Sequence, residues 1–181
     1  AERMVGTQQD ELIKAELGDL KRQVRLSLEE VRKMIFNLRP MALDDLGFIP
    51  ALRKYVQDFE EKYKIRTRFE LTGKELRLPS AMEAGIYRVV QEAFTNIHKH
   101  AHASFVLLDV TVLPEELRIL IEDNGTGFSP SDLERKSGAE GERLGIVGMR
   151  ERIELLEGDF QIESRPNEGT RITIRVPIKA E

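Results

Sequence analysis

The sequence predicts an α+β protein: a long N-terminal helix, then an α/β sandwich with a mixed, mostly antiparallel sheet and helices on one face. Two observations support this fold class. Apolar residues recur at heptad spacing over residues 8–38, which is typical of a helix that packs along another helix. After residue 65 the segments follow the order strand, helix, two strands, helix, two strands. Hairpins mixed with helices in this way predict a sheet that is covered on one side.

The composition narrows the classes of protein. The net charge is −4, from 32 acidic and 28 basic residues, so no basic excess indicates nucleic acid as a partner. The absence of cysteine excludes disulfides, zinc–thiolate sites and a cysteine nucleophile, and fits a reducing, cytoplasmic compartment. No apolar run approaches the roughly 20 residues that span a bilayer. Because the chain begins in helical sequence without Met, we expect it to be part of a longer protein.

The N-terminal helix is defined by a narrow apolar seam. Its seam residues are Ile13, Leu17, Leu20, Val24, Val31, Met34 and Leu38. A seam this long and narrow favours a helix in a dimer bundle, although an amphipathic helix on the core of the same domain is the alternative. Pro40 and Gly47 mark breaks after it, so we assign residues 1–45 to this helical part and residues 46–181 to a separate domain.

The remaining elements follow from periodicity and turn residues. The segments "IPALRKYVQDFEEKYK" and Leu78–Ala101 have helical patterns, and "IRTRFELTG" alternates as a strand does. The segments "ASFVLLDVTVL" and "ELRILIEDNG" predict a hairpin that turns at Pro114. Residues 125–145 predict a loop, a helix is expected from residue 146, and "DFQIESRP" and "TRITIRVPI" predict the last two strands.

Three histidines in five residues, His98, His100 and His102, raise the question of a metal site. At about 100° per residue along a helix they do not converge. His98 and His102 lie on the solvent side, and no carboxylate completes an i, i+4 pair. We therefore expect His98 and His102 to be surface residues.

A different polar set does converge on one flank of the same helix: Glu92, Asn96, Lys99 and His100. An amide oxygen suits Mg²⁺, which commonly arrives with phosphates, and Lys99 can neutralise phosphate charge. The alternative is a solvated polar face. The opposite arc, formed by Ile86, Val90, Ala93, Phe94, Ile97 and Ala101, is the predicted buried stripe.

Three glycine-containing segments accompany this helix. In "LIEDNGTGF", Asp123 is expected to end a strand, where its carboxylate can accept a hydrogen bond from an amino group. Gly125 and Gly127 let the backbone approach a flat ligand. An Asn-Gly hairpin turn is the alternative. In "ERLGIVGMRERI", Gly145 and Gly148 are expected at a helix start, where free N–H groups attract anions. In the third segment, the pair Gly169–Thr170 opens the last strand.

Together these segments resemble the ATP-binding region of two-component sensor histidine kinases, within the GHKL ATPases (gyrase, Hsp90, histidine kinase, MutL) and their Bergerat fold. They match the N, G1, G2 and G3 boxes of that family over about residues 50–178. "QEAFTNIHKHA" and "GIVGMRERI" resemble the DegS-type subfamily, which signals to response regulators with LuxR-type DNA-binding domains. "VRKMIFNLRPMALDDLGFIPALRKYV" resembles its second dimerisation helix and interdomain joint.

The resemblance implies a role for each matched residue. Asn96 would coordinate Mg²⁺, Lys99 and His100 would contact phosphate, and Asp123 would accept from the adenine amino group. Glu92 stands where gyrase-like relatives carry a water-activating base, and here a contact to Mg²⁺-bound water, a structural role and weak base activity all stay open. The implied catalytic residues are Glu92, Asn96 and Lys99. The implied nucleotide site comprises Asn96, Lys99, His100, Asp123, Gly125, Gly127, Phe128, Leu144, Gly145, Ile146, Gly148, Met149 and Thr170, with residues 129–143 as the ATP lid.

The implied activity is transfer of the ATP γ-phosphate to a histidine and then to a response-regulator aspartate, in a homodimer. In the family, the histidine that accepts the phosphate lies on the first dimerisation helix and is followed by an acidic residue. None of the three histidines has that context, so we expect this chain to bind Mg–ATP without phosphorylating itself. The alternatives are a water-directed GHKL ATPase, a serine kinase of the anti-sigma-factor type and a non-enzymatic dimerisation module. The first would need a strong base at Glu92 and a transducer domain, which this chain lacks. The heptad helix and the joint argue against the second, and the intact motif residues argue against the third.

Overall fold

The computed structural model describes residues 40–74, 78–129 and 140–178, together with the isolated positions Leu17, Gly18, Leu20 and Gln23; side chains of residues 140–144 are outside the description. The chain divides into two compact units, Ala1–Leu38 and Arg39–Glu181. Leu17 and Leu20 are helical and exposed. The rest of the predicted heptad seam lies outside the described residues, so the dimerisation helix stays a prediction.

The second unit begins with two helices, α1 (Met41–Leu46) and α2 (Phe48–Tyr63). Leu43 in α1 is buried, so the predicted joint packs into the second unit. The spacing of Ile49, Leu52, Val56 and Phe59 places them on one face of α2, and all four are buried.

Five strands form one mixed sheet: β1 (Arg66–Thr72), β2 (Phe105–Val112), β3 (Glu116–Asp123), β4 (Asp159–Ser164) and β5 (Thr170–Pro177). Their spatial order is β1-β2-β3-β5-β4. The β1–β2 pair is parallel and the other three pairs are antiparallel. This confirms the predicted mixed, mostly antiparallel sheet, with the parallel pair joined by a helical crossover.

Two helices cover the buried face of this sheet: α3 (Ser80–Asn96), which continues as a π-helix (Ile97–Ala101), and α4 (Glu140–Glu154). The predicted stripe of α3 and the π-helix is buried at all six positions. Alternate strand residues such as Val106, Leu108 and Ile174 are fully buried against it, because side chains along a strand point alternately to the two faces.

The predicted start of α4 was wrong. The helix begins at Glu140, whereas a loop was expected up to residue 145. Glycine-rich composition suggested the loop, but Glu140 and Glu142 are acidic residues of the kind that favour a helix N-terminus. Gly145 and Gly148 therefore lie inside the helix.

Candidate functional site

A cavity of about 150 Å³ opens between α3, α4 and the end of the sheet. Its walls are apolar, formed by Ala93, Ile97, Ala101, Ile121, Ile146, Met149, Ile162 and Ile172. The polar residues in its lining are Asn96, His100, Asp123 and Thr170, and Gly127 and Phe128 complete it. An apolar slot with a few polar groups is the usual form of a small-molecule site.

Asp123 is the buried charge of this cavity. It ends β3 and is 5% exposed. Its Oδ1 accepts the backbone N–H of Gly125 at 2.8 Å, and the backbone N–H of Thr170 also donates to the carboxyl. Burial raises the pKa of Asp123 above its usual value, and these two donors oppose that rise. The protein thus holds a carboxylate in an apolar cavity with acceptor capacity left for a ligand.

The loop after Asp123 needs glycine at two positions. A Cβ on Gly125 would overlap the carbonyl oxygen of Ala101, at the end of the π-helix. Gly127 has φ +55° and its Cβ would overlap the carbonyl oxygen of Arg165, so both space and backbone conformation favour glycine. Both glycines therefore have structural reasons in addition to the predicted close approach of a ligand.

Side chains within the same loop fasten it to neighbouring elements. Asn124 Oδ1 accepts the backbone N–H groups of Ser104 and Phe105 at 3.0 and 2.9 Å. The backbone N–H of Thr126 donates to the Ala101 carbonyl at 2.7 Å. Sequence reasoning missed both residues, because their partners become neighbours only in the folded protein: those of Asn124 when β2 pairs with β3, and that of Thr126 at the end of the π-helix. The loop that carries the site is thereby fixed to the π-helix and to β2.

The π-helix decides which residues of the predicted polar flank reach the cavity. Asn96 and His100 line it, whereas Lys99 is exposed and is not among its lining residues. A π-helix closes i→i+5 hydrogen bonds, so each residue turns less than the 100° assumed for an α-helix. Lys99 thus lies outside the cavity lining, and its contact with phosphate stays a prediction.

Glu92 lies beside Asn96, at the contact between α3 and α4. A Cβ placed on Gly145 would lie 2.5 Å from Glu92 Oε1 and 3.4 Å from Asn96 Nδ2. Glycine at 145 therefore lets the α4 backbone come close to both predicted catalytic side chains. This brings Glu92, Asn96 and Gly145 together at one edge of the site.

The anion site predicted from Gly145 and Gly148 is not formed by these residues here. Only the first four N–H groups of an α-helix lack an internal partner. With α4 beginning at Glu140, the N–H groups of Gly145 and Gly148 fall in the hydrogen-bonded interior. The side chain of Leu144, and most of the predicted lid, lie outside the described residues.

The histidines do not form a cluster. His98 is exposed and stacks on Tyr63, with ring centroids 3.8 Å apart, whereas His100 lines the cavity. His102 is exposed, and its backbone adopts the left-handed conformation. Over residues 40–74, 78–129 and 140–178, no group of three His, Cys, Asp or Glu side chains is placed to hold a metal ion. In that same part of the chain, no helix combines the length and apolarity needed to cross a membrane.

Comparison with known proteins identifies the family. The histidine kinase-, DNA gyrase B- and HSP90-like ATPase family matches residues 81–180, which carry the whole cavity. The chain belongs to this ATPase family. The predicted membership of the GHKL ATPases is thereby confirmed.

Curated relatives place the chain near the DegS-type members of the ATPase family. It is 45% identical to the signal transduction histidine-protein kinase/phosphatase DegS of Brevibacillus brevis, over 95% of this chain and 43% of DegS. It is 40% identical to Bacillus subtilis DegS, over 90% of this chain and 42% of that protein. It is 36% identical to the oxygen sensor histidine kinase NreB of Staphylococcus carnosus, over 83% of this chain and 42% of NreB. The chain thus spans less than half the length of these relatives.

Solved structures of histidine kinases share the fold. The histidine kinase AdeS of Acinetobacter baumannii has a TM-score of 0.57 at 18% identity, with 89% of this chain and 85% of that chain covered. The histidine kinase domain of a blue-light activated kinase from Erythrobacter litoralis has a TM-score of 0.56 at 21% identity, covering 71% and 59%. These similarities confirm the predicted α+β architecture.

Proposed function

We propose that residues 46–181 bind ATP with Mg²⁺ in this cavity and supply the catalytic part of a protein-histidine kinase. The observation that carries the proposal is Asp123, a carboxylate held by backbone donors inside an apolar cavity. An acceptor there suits a flat base that presents an amino group. Membership of the ATPase family supports the same ligand.

The phosphates and the metal would lie at the α3 edge of the cavity. Asn96 offers an amide oxygen and Glu92, beside it, a carboxylate, and Mg²⁺ favours such oxygen ligands combined with phosphate and water. These residues fit the ion, which would offset charge on the phosphates. Lys99 and His100 would contact phosphate from the π-helix. Gly145 and Gly148, the glycines of the predicted G2 box, would donate N–H groups if the start of α4 unwound.

In the longer protein, we propose that this part positions ATP for in-line attack by a histidine on a dimer bundle. Catalysis would then rest on positioning and on charge stabilisation. The heptad helix predicted within residues 1–45 would supply the second dimerisation helix, in keeping with the exposure of Leu17 and Leu20. The kinases DegS and NreB, with which the chain aligns over most of its length, support this assignment.

The same resemblance supports the proposed partners. A response regulator with a LuxR-type DNA-binding domain would receive the phosphoryl group on an aspartate, and the kinase would act as a cytoplasmic homodimer. No direct contact with nucleic acid is proposed, in line with the net charge of −4.

The experiment for the metal assignment is a calorimetric titration with ATP, with and without Mg²⁺, of the chain and of Asn96→Ala. We expect Mg²⁺ to tighten ATP binding in the unchanged chain and to have a much smaller effect in the variant, because the amide ligand is gone. The titration in EDTA is the internal control, since ATP affinity without metal should differ little between the two proteins. An equal Mg²⁺ effect in both would remove Asn96 from the metal site.

A further inference from the structure

Ser164 does not line the cavity, yet it contacts two segments that do. It ends β4, directly opposite Thr170 in the β4–β5 pairing. Its Oγ accepts the backbone N–H of Phe128 at 2.9 Å, lies 2.8 Å from the Gly169 carbonyl oxygen and 3.0 Å from Thr170 Oγ1. Phe128 and Thr170 both line the cavity.

The three contacts fix the direction of each hydrogen bond. A serine hydroxyl has one hydrogen and two lone pairs. The Gly169 carbonyl only accepts, so the Ser164 hydrogen goes to it. The Phe128 N–H only donates, which leaves one Ser164 lone pair for Thr170. The hydroxyl of Thr170 must then donate to Ser164.

This direction determines what Thr170 offers to a ligand. Its single hydrogen is used on Ser164, so the hydroxyl can only accept from a group in the cavity. Asp123, paired with Thr170 across β3 and β5, is also an acceptor. Two neighbouring acceptors favour a base edge that donates and disfavour one that carries a carbonyl oxygen.

We infer that Ser164 is a positioning residue for base selection: it holds Thr170 as an acceptor, so that this end of the cavity selects the six-amino group of adenine. The inference rests on the proposed function, because it takes the base to lie at Asp123. Ser164 would touch no ligand itself and would act through the hydroxyl hydrogen of Thr170.

The test compares the affinities of ATP and of purine riboside 5′-triphosphate, which lacks the amino group, for the 181-residue chain. The variants are Ser164→Ala, the matched control Ser104→Ala and the base-site control Asp123→Ala. Ser104 Oγ also accepts a hydrogen bond, from Asn124 Nδ2 at 2.9 Å, but does not line the cavity. We expect Ser164→Ala to weaken ATP binding about three- to tenfold, the effect of losing one typical hydrogen bond. Affinity for the analogue should stay within about twofold, as should both affinities in Ser104→Ala.

Equal weakening of both nucleotides in Ser164→Ala, or no weakening of ATP, would overturn the inference, since a merely structural role does not distinguish the two ligands. Thr170→Val provides a second measurement if Ser164→Ala fails to fold. On its own it should show the same selective loss, and equal weakening of both nucleotides by Thr170→Val would overturn the inference. Where Ser164→Ala does fold, the double variant should add little to either single loss, and additive losses would also overturn the inference. Failure of the proposed function gives a different result: the unchanged chain would not prefer ATP, and Asp123→Ala would alter neither affinity.

Discussion

Asp123 is both buried and hydrogen-bonded, and in the protein without nucleotide these two properties have opposite effects on the pKa of its carboxyl. Its carboxylate accepts two backbone N–H groups, yet only 5% of the residue is exposed, and burial raises the pKa of the carboxyl above its usual value of 3.8. The folded protein therefore binds a proton at Asp123 more tightly than the unfolded chain does. Below the unfolded pKa this contributes stability, and the contribution is lost as the pH rises through the folded pKa.

We therefore expect the unfolding free energy of the unchanged chain to rise relative to that of Asp123→Asn as the pH is lowered from about 7 to about 4. Asparagine keeps an oxygen acceptor for the Gly125 N–H but cannot titrate in this range. Urea unfolding of both proteins at several pH values, without nucleotide, gives the difference. A difference that stays constant, or that moves against the unchanged chain on acidification, would contradict the raised pKa.

The motif residues and the family resemblance that they carry were together sufficient to predict much of the cavity. Asn96, His100, Asp123, Gly127, Phe128, Ile146, Met149 and Thr170 were all predicted for the nucleotide site and all line it. The apolar wall residues Ile121 and Ile172 were not predicted for the site, although the strand alternation marks them as inward-facing. Ser164 could not be found from sequence, because its position opposite Thr170 depends on the register of β4 against β5.

At the scale of elements, the structure differs from the sequence-based prediction at two places: where a helix departs from regular α geometry, and where a helix begins. The segment Ile97–Ala101 contains neither Pro nor Gly, so nothing in its composition distinguishes a π-helix from a continuing α-helix. At α4 the glycines suggested a loop, whereas the backbone is helical from Glu140. Periodicity thus predicted that these helices exist, but not the local geometry that orients Lys99 and the G2 glycines.

The helical state of Gly148 leads to a prediction about α4. A Cβ there would meet only Arg152 Nη1, at 3.3 Å, so Gly148→Ala fits the helix and should stabilise it by up to about 1 kcal/mol. If phosphate binding requires Gly145 and Gly148 to leave the helix, this variant stabilises the less competent state. We expect higher unfolding free energy and weaker ATP binding, by up to about fivefold.

Urea unfolding and calorimetry on the same preparation of Gly148→Ala give both quantities. The unchanged chain is the reference, and the apparent affinity should fall by the factor that corresponds to the gain in helix stability. A more stable protein with unaltered ATP affinity would mean that phosphates bind without any change in α4.

On the scale of the whole molecule, the cavity belongs to one of the two compact units. All its lining residues lie within Arg39–Glu181, and the family match covers residues 81–180. The mixed sheet was predictable from strand order and turn residues. The partner of the predicted heptad seam stays a prediction, because such a seam is defined by the helix that it packs against.

We expect the chain to bind ATP without acquiring phosphohistidine. His98 stacks on Tyr63, and His100 is part of the cavity lining. Neither imidazole is therefore presented to the cavity from outside as an acceptor of the γ-phosphate. Incubation with γ-labelled ATP and Mg²⁺, followed by detection of base-stable, acid-labile phosphate, measures this. Full-length DegS of Bacillus subtilis, treated in parallel, is the control for the labelling conditions, and phosphohistidine on any of the three histidines of this chain would refute the expectation.

The central claim, that the base of ATP lies at Asp123, is tested most directly by calorimetric titration of the chain, of Asp123→Ala and of Asp159→Ala with Mg–ATP. Asp159 is an exposed carboxylate on β4, away from the cavity, and controls for the substitution. Loss of a charge-assisted hydrogen bond of about 1.5–3 kcal/mol should weaken binding roughly ten- to a hundredfold in Asp123→Ala alone. Equal ATP affinity in Asp123→Ala and Asp159→Ala would contradict the assignment of this cavity as the ATP site.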